Sequence, residues 1–392
     1  MKEDTLIVTA GRDPESNHGI VNPPVYHAST VLFPTVAALE KSQKQRLDSN
    51  TVYYGRFGTP TTFAFQNAIA QLDDGHRAIA VASGKCAILV SLMAFLKAGD
   101  HLLMVDSAYG PTRELCNGLL TRFGVTTTFY DPLIGSDIAN LIRPETQVVF
   151  TESPGSQTFE IQDIGAIARA AHANDCIVVM DNTWATSLFF KPFEHGVDVV
   201  VQAATKYILG HSDAMLGVIT SNEENFEPIQ RAALDFGAPP GPDDVYLAQR
   251  GLRTLGVRLA RHMATGLRIA SWLQAQPQVA KVLHPGLPDD PGHSIWSRDF
   301  HGASGLFGLV LKKTTKTMLA KMLDKMQLFK MGYSWGGYES LMIPTDPEKQ
   351  RTATCWRPEG PTLRIHAGLE DPDDLIQDLE QGLSRLSPTS SL

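Results

Sequence analysis

The sequence predicts an α/β protein. An extended N-terminal arm covers residues 1–60, a large domain with a mostly parallel sheet flanked by helices covers 61–250, and a smaller α+β domain covers 251–392. Three observations predict it. The chain has 392 residues, beyond the roughly 250–300 at which a single core stops growing. From about residue 61 short, uniformly apolar runs alternate with helical segments, the pattern of parallel strands buried on both faces. Past residue 275 the alternation loses regularity, and before residue 60 no period is visible.

Residues 1–60 hold Gly11, Pro23, Pro24, Pro34, Gly55 and Gly58, punctuation that favours extended chain. Only Thr35 to Arg46 reads there as a short helix. "TTFAFQNAIAQLD" reads as a helix with a threonine cap. "AIAVAS" (78–83) is a strand, "GKCAILVSLMAFLKAG" an apolar helix ending at Gly99, "HLLMVD" a strand, "TRELCNGLLTRFG" a helix and "VTTTFYD" a strand. "TQVVFTES", "CIVVMDNTW" and "VDVVVQAATK" are further strands, with the helix "DIGAIARAAHAND" between the first two. "DDVYLAQRGLRTLGVRLARHMATGLRIASWLQ" is one long helical stretch that ends before Pro277 and joins the domains. The second domain contributes strands "VAKVLH", "GLFGLVLK" and "TLRIHAG", helices near 315–325 and 371–386, and the glycine-rich turn "YSWGGYES". The closing "SPTSSL" reads as a fraying end.

Composition narrows the function classes. Charged residues make up 19%, below the ~25% of ordinary soluble domains, so surface buried between subunits is expected. A net charge of −8 disfavours nucleic acid, which needs a basic face. No run reaches the roughly 18–20 apolar residues of a membrane span, and the opening "MKEDTLIVTAGRDPE" reads as no secretory leader. Cys86, Cys116, Cys176 and Cys355 are scattered, the spacing of free cytosolic thiols rather than of a zinc site or disulfide framework. The histidines show no metal-ligand spacing, so no metal is expected; His284 and His293 flank a Pro/Gly-rich turn and read as surface or capping residues.

In open α/β sheets ligands bind at the carboxyl ends of the strands. The residues that fall there are Ser83, Gly84 and Lys85, then Tyr109, then Ser153, Pro154 and Gly155, then Asp181, Asn182, Thr183 and Trp184, and finally Lys206. Each has a plain alternative. Ser83-Gly84 before a helix is an N-cap, or free amides at a helix start suited to a phosphate. Asp181 is a cap or a functional carboxylate, and Lys206 a lysine snorkelling to solvent or a reactive amine. Neither a Walker A loop nor a dinucleotide-binding glycine fingerprint occurs at the strand ends.

Taken together these residues match the needs of pyridoxal 5'-phosphate: a lysine that holds it covalently, an acid for the pyridinium nitrogen, a phosphate cup and a stacking face. Lys206 supplies the first, Asp181 the second, Ser83, Gly84 and Lys85 with Thr205 the third, and Tyr109 the fourth. Arg364, a charge inside the apolar pattern of "TLRIHAG", independently asks for an anionic partner.

The segment "DVVVQAATKYILGHS" closely resembles the cofactor-lysine signature of the Cys/Met-metabolism family of pyridoxal-phosphate enzymes. Matches continue through "YYGRFGTPT", "VASGKCAI", "DSAYGPT", "FTESPGSQTFEI", "MDNTWAT", "RGLRTLGVR", "YSWGGYES" and "LRIHAGLED", over roughly residues 5 to 386. The resemblance implies the aminotransferase-like fold type I and a cytoplasmic enzyme. It assigns Lys206, Tyr109 and Tyr54 to catalysis. It gives Lys206, Asp181, Tyr109, Ser83, Gly84, Lys85, Thr205, Tyr54 and Arg56 to the cofactor, and Arg364, Ser334, Trp335 and Tyr109 to the substrate. Tyr54 and Arg56 would enter the site of a neighbouring subunit, within a homotetramer built from two active dimers. "DPLIGSDI", "ESPGS", "QAATKY", "GHSDAM" and "SWGGYES" are similar to the carbon–sulfur β-lyase branch. That branch implies L-cystathionine as substrate, with γ-eliminating or γ-replacing relatives, or a broader cysteine-S-conjugate β-lyase, as the alternatives. Three departures stand out: Ala203 where many members carry serine, Lys85 where methionine is common, and "ESPGSQ" where many read "ESPTNP". The first and third also occur in the β-lyase branch.

Overall fold

The computed structural model describes residues 1–386, so the expected fraying of "SPTSSL" lies outside the described residues. The arm contains α1 (Glu3–Thr9) and α2 (Val36–Lys44). α2 is the helix expected near Thr35, whose hydroxyl accepts from Ala38 N at 3.1 Å. α1 departs from an extended arm, because Ile7 and Ala10 are apolar enough to join the core beside the helix that follows. That helix is α3 (Pro60–Asp73). Its N-cap is Thr59 with no side-chain bond. Thr61 is no cap either: its hydroxyl donates to Pro24 O and accepts from Tyr26 N, both at 2.8 Å, and so ties the arm to α3.

The large domain continues through β1 (Arg77–Val81), α4 (Gly84–Met93), β2 (His101–Val105), α5 (Gly110–Leu115), β3 (Thr126–Tyr130) and β4 (Thr146–Glu152). α6 (Ile164–His172), β5 (Ile177–Asp181), α7 (Thr186–Phe189), β6 (Val199–Gln202), β7 (Gly217–Ser221) and α8 (Glu223–Phe236) follow. The strands form one seven-stranded sheet in the order β1-β7-β6-β5-β4-β2-β3. β3, β2, β4, β5 and β6 pair in parallel, and β7 is antiparallel to both β6 and β1. Every residue of β2 and β6 is buried, as strands covered by helices on both faces require.

Some sequence expectations shift. α4 ends at Met93, short of Gly99, and β7 was not anticipated because its five residues sit directly behind an irregular turn. β6 ends at Gln202, so Lys206 lies in the turn beyond the strand rather than on it. The long helical stretch is two helices, α9 (Pro242–Leu252) and α10 (Leu255–Gln274). The break is held by Arg258, whose guanidinium donates to Gly251 O at 2.8 Å and to Tyr207 O at 2.6 Å. The carbonyls freed at a helix end need such a donor.

The smaller domain holds β8 (Val279–Leu283), α11 (His293–Asp299), β9 (Leu306–Leu311), α12 (Lys316–Leu323), β10 (Leu341–Thr345), β11 (Thr362–His366) and α13 (Pro372–Ser384). Its four strands are antiparallel in the order β10-β11-β9-β8. β10 contains Pro344, which argues against a strand in sequence but is tolerated at a sheet edge. His284 is fully buried rather than at the surface, with Nδ1 accepting from Gly286 N at 3.0 Å. His293 begins α11 and its Nδ1 meets Pro285 O at 2.9 Å.

One close approach fixes the future site. A Cβ at Gly217 would lie 2.1 Å from Ser83 O, so β7 and the start of α4 meet without room for a side chain. Gly217→Ala should therefore destabilise the fold by about 1–3 kcal/mol, read as a lowered midpoint in urea unfolding with an unchanged slope.

Candidate active site

The carboxyl ends of β4 and β5 lie in register, which sets Glu152 beside Asp181. Asp181 Oδ1 accepts from Thr183 N at 2.9 Å and from Thr183 Oγ1 at 2.5 Å. The same hydroxyl accepts from Ala203 N at 2.8 Å. Thr183 thus joins the end of β5 to the turn that follows β6. Burial raises the Asp181 carboxyl above its usual range, and the Thr183 bonds and the Lys206 charge only partly offset it. Such a carboxylate gains most from a cation placed against it.

Lys206 stands in that turn, where Lys206 N donates to Ala203 O at 3.0 Å and Gly210 N to Lys206 O at 2.8 Å. Nζ donates to Ser334 Oγ at 2.6 Å and lies 5.2 Å from the Trp335 ring centroid. Burial, reinforced by the nearby Arg364 charge and opposed by Asp181, lowers the amine to about 8. A large share of it is therefore unprotonated at mildly alkaline pH, the state needed for nucleophile or base.

Ser334 links this amine to the smaller domain. Its hydroxyl receives Lys206, and its carbonyl accepts from Arg364 Nη2 at 2.9 Å. It does so at φ +78°, a left-handed conformation uncommon for serine. Gly336, at φ +87°, comes so near that a Cβ would lie 2.9 Å from the Lys206 carbonyl carbon. Behind them Trp335, Tyr207, His262 and His366 pack as one aromatic group. Burial lowers His262 to about 4 and His366 to about 3, so both rings are neutral and add no charge beside Lys206 at ordinary pH.

The other expected residues are placed as follows. Ser83 caps α4, its hydroxyl accepting from Cys86 N at 3.2 Å. The Gly84 and Lys85 amides belong to the first helical turn and have no partner within it. A Cβ at Gly84 would lie 2.5 Å from the Ala203 Cβ, so α4 starts directly against the Lys206 turn. The Lys85 side chain is half exposed and points toward Glu114, 3.9 Å away, so only its amide faces this cradle. Thr205 Oγ1 exchanges bonds with Leu216, donating to O at 3.1 Å and accepting from N at 2.9 Å. Tyr109 precedes α5 with its ring partly exposed, and its N–H donates to Glu152 Oε2 at 2.8 Å. Tyr54 and Arg56 are not brought to Lys206 within the chain. Arg56 Nη1 donates to Leu234 O at 2.9 Å, and Tyr54 is exposed near Thr30, Phe33 and Leu39.

Two contributors were not singled out from sequence. Glu152 is raised well above the carboxylate range by burial and by Asp181. Its signal was the matching position of "FTE" and "VMD" at the ends of adjacent strands. Thr183 falls on the rim in sequence, and its role lies in its bonds to Asp181 and Ala203.

Pyridoxal phosphate fits this donor set. A buried carboxylate faces an amine poised near neutrality, a helix start with open amides abuts a turn that excludes side chains, and an aromatic ring flanks them. A family model for the Cys/Met metabolism PLP-dependent enzyme matches residues 4–384. The chain is 44% identical to the cystathionine beta-lyase MetC of Escherichia coli (strain K12), over 98% of this chain and 99% of that protein. It is 44% identical to the cystathionine beta-lyase of Salmonella typhimurium, over 98% of each chain. The crystal structure of metB from Corynebacterium glutamicum superposes with a TM-score of 0.91 at 30% identity, covering 99% of both chains.

The lowered amine gives a pH prediction. Covalent uptake of pyridoxal phosphate by cofactor-free protein should rise with pH around a midpoint near 8, followed by visible absorption. Arg364→Gln removes a cation that depresses the amine, so the midpoint should move up; a downward move would contradict the electrostatic account.

Proposed function

The chain belongs to the Cys/Met metabolism PLP-dependent enzymes, and on that premise we propose that it is a carbon–sulfur β-lyase that cleaves L-cystathionine, with water, to homocysteine, pyruvate and ammonia. The observation that carries this reading is Lys206, with a lowered amine, set between Asp181 and the Ser334–Arg364 pair. Relatives named cystathionine beta-lyase at 44% identity over nearly the whole chain support the choice of substrate.

When bound, pyridoxal phosphate supplies an electron sink conjugated to the substrate Cα. Lys206 would hold it covalently, and the Lys206 amine, once free beside the bound substrate, would take the Cα proton. Asp181 would stand as the acid partner of the ring nitrogen and so sustain the sink. Tyr109 would flank the ring, and the Gly84 and Lys85 amides with Ser83 would receive the phosphate; Thr205, read from sequence as a fourth phosphate ligand, instead spends its N–H and its hydroxyl on Leu216 O. Arg364 clamps the α-carboxylate through its paired N–H groups, with Ser334 and Trp335 lining that pocket. Loss of the Cα proton would expel the thiolate at Cβ, which takes up a proton and leaves as homocysteine; the remaining three-carbon enamine would react with water to give pyruvate and ammonia.

Tyr54 and Arg56 complete the site of a second copy in this reading. Their contacts within one chain, Arg56 with Leu234 O and Tyr54 beside Thr30 and Phe33, support it, as does the arm's exposed apolar surface, where Leu32 is 88% exposed. Residues 1–60 then act as a subunit-crossing arm, 61–250 as the cofactor domain and 251–392 as the substrate-facing domain of a homotetramer. The four cysteines are unpaired, which suits a reducing cytoplasm.

Incubation of the purified protein with L-cystathionine should yield pyruvate and homocysteine. Formation of 2-oxobutyrate instead would reassign the enzyme to γ-elimination. Lys206→Ala should abolish turnover and leave no cofactor fixed to the chain after borohydride reduction.

A further inference from the structure

The connection between β10 and β11 crosses back to the large domain, and its residues 351–354 lie on the two loops that frame Tyr109. The carboxylate of Asp106, three residues before Tyr109, is completely buried. It accepts from Thr352 N at 3.0 Å, Thr352 Oγ1 at 3.1 Å, Ala353 N at 3.1 Å, Thr354 N at 2.9 Å and Thr354 Oγ1 at 2.8 Å. Among the described residues its paired cation is Arg113 on α5, at 2.9 Å, and Arg113 also donates to Thr352 Oγ1 at 2.9 Å. Next in sequence, Arg351 donates to Glu160 Oε1 at 2.7 Å and to the Thr158 hydroxyl. The loop carrying Thr158 and Glu160 is tied to the Tyr109 loop in turn, since Ser156 N donates to Ser107 O at 2.8 Å and Tyr109 N to Glu152 at 2.8 Å.

We propose that residues 351–354 form a positioning strap that sets Tyr109, on the large domain, against Arg364, on the smaller one. The chain continues from the strap through residues 355–361 into β11, where Arg364 stands two residues past Thr362. Apolar contact alone would let the domains slide. A buried carboxylate with five donors from one short segment permits a single seating, because any shift leaves several charged or polar atoms unpaired. Asp106, Arg351, Thr352 and Thr354 touch no reacting atom in this scheme; they act through Tyr109 and Arg364. The inference rests on the reading that those two residues meet cofactor and substrate.

The test compares wild type with Asp106→Asn and with the milder pair Thr352→Ala/Thr354→Ala, which keeps the three backbone donors. Cofactor affinity is measured by titrating cofactor-free protein with pyridoxal phosphate, and KM and kcat with L-cystathionine. Both variants should weaken cofactor binding and raise KM about tenfold, the scale of a lost hydrogen bond to a charged group, with kcat within about threefold. Thr352→Ser/Thr354→Ser should restore wild-type values. If cofactor affinity and KM stay within twofold while only the melting temperature falls, the strap is structural and the proposal is overturned. The threonine variants decide the matter should Asp106→Asn fail to fold. If wild type binds cofactor but forms no keto acid, the lyase reading fails, while the cofactor titrations still judge the strap.

Discussion

The rest of the site depends on the cost of burying an amine. A lysine ammonium taken out of water without compensation is strongly disfavoured, and the protein meets this by making neutrality accessible. Lys206 is lowered to about 8 by burial and Arg364, while Asp181 keeps the charged form within reach. Every structural condition around it serves that balance. The register of β4 and β5 places two carboxylates on one rim, Thr183 fixes the nearer one to the Lys206 turn, and Gly336 lets the glycine-rich turn close over the backbone. The neutral His262 and His366 rings fill the space behind without adding charge.

The site is also a joint. Ser334 receives Lys206 through its side chain and Arg364 through its carbonyl, so the amine and the guanidinium share one residue. Arg258 stitches α9 and α10 to the same turn from the other side. A small displacement between the domains therefore reaches the amine directly, through bonds rather than through diffuse packing.

Much of this was legible in sequence. Apolar strands spaced by helices fixed the parallel sheet, and a carboxylate, an aromatic and a lysine at successive strand ends marked the rim. Arg364 stood out as a charge within an apolar pattern. The remaining features depend on contacts distant in sequence. β7 and β10 are short, and one contains a proline that only its edge position permits. The division into α9 and α10 is set by Arg258 reaching a turn about fifty residues away. Glu152 is ordinary in its own segment and becomes unusual only beside Asp181. The hydroxyl of Thr205, read as a phosphate ligand, is engaged with Leu216, a pairing that local pattern does not reveal.

Trp335 adds a property of another kind. Its indole ring lies 5.2 Å from the Lys206 amine. Any chromophore attached to that amine sits almost in contact with an ultraviolet fluorophore whose emission falls where pyridoxyl groups absorb. With pyridoxal phosphate fixed to that amine, the molecule would carry its own optical donor and acceptor. Occupancy of the lysine should be readable as quenched tryptophan light, in real time and without a label.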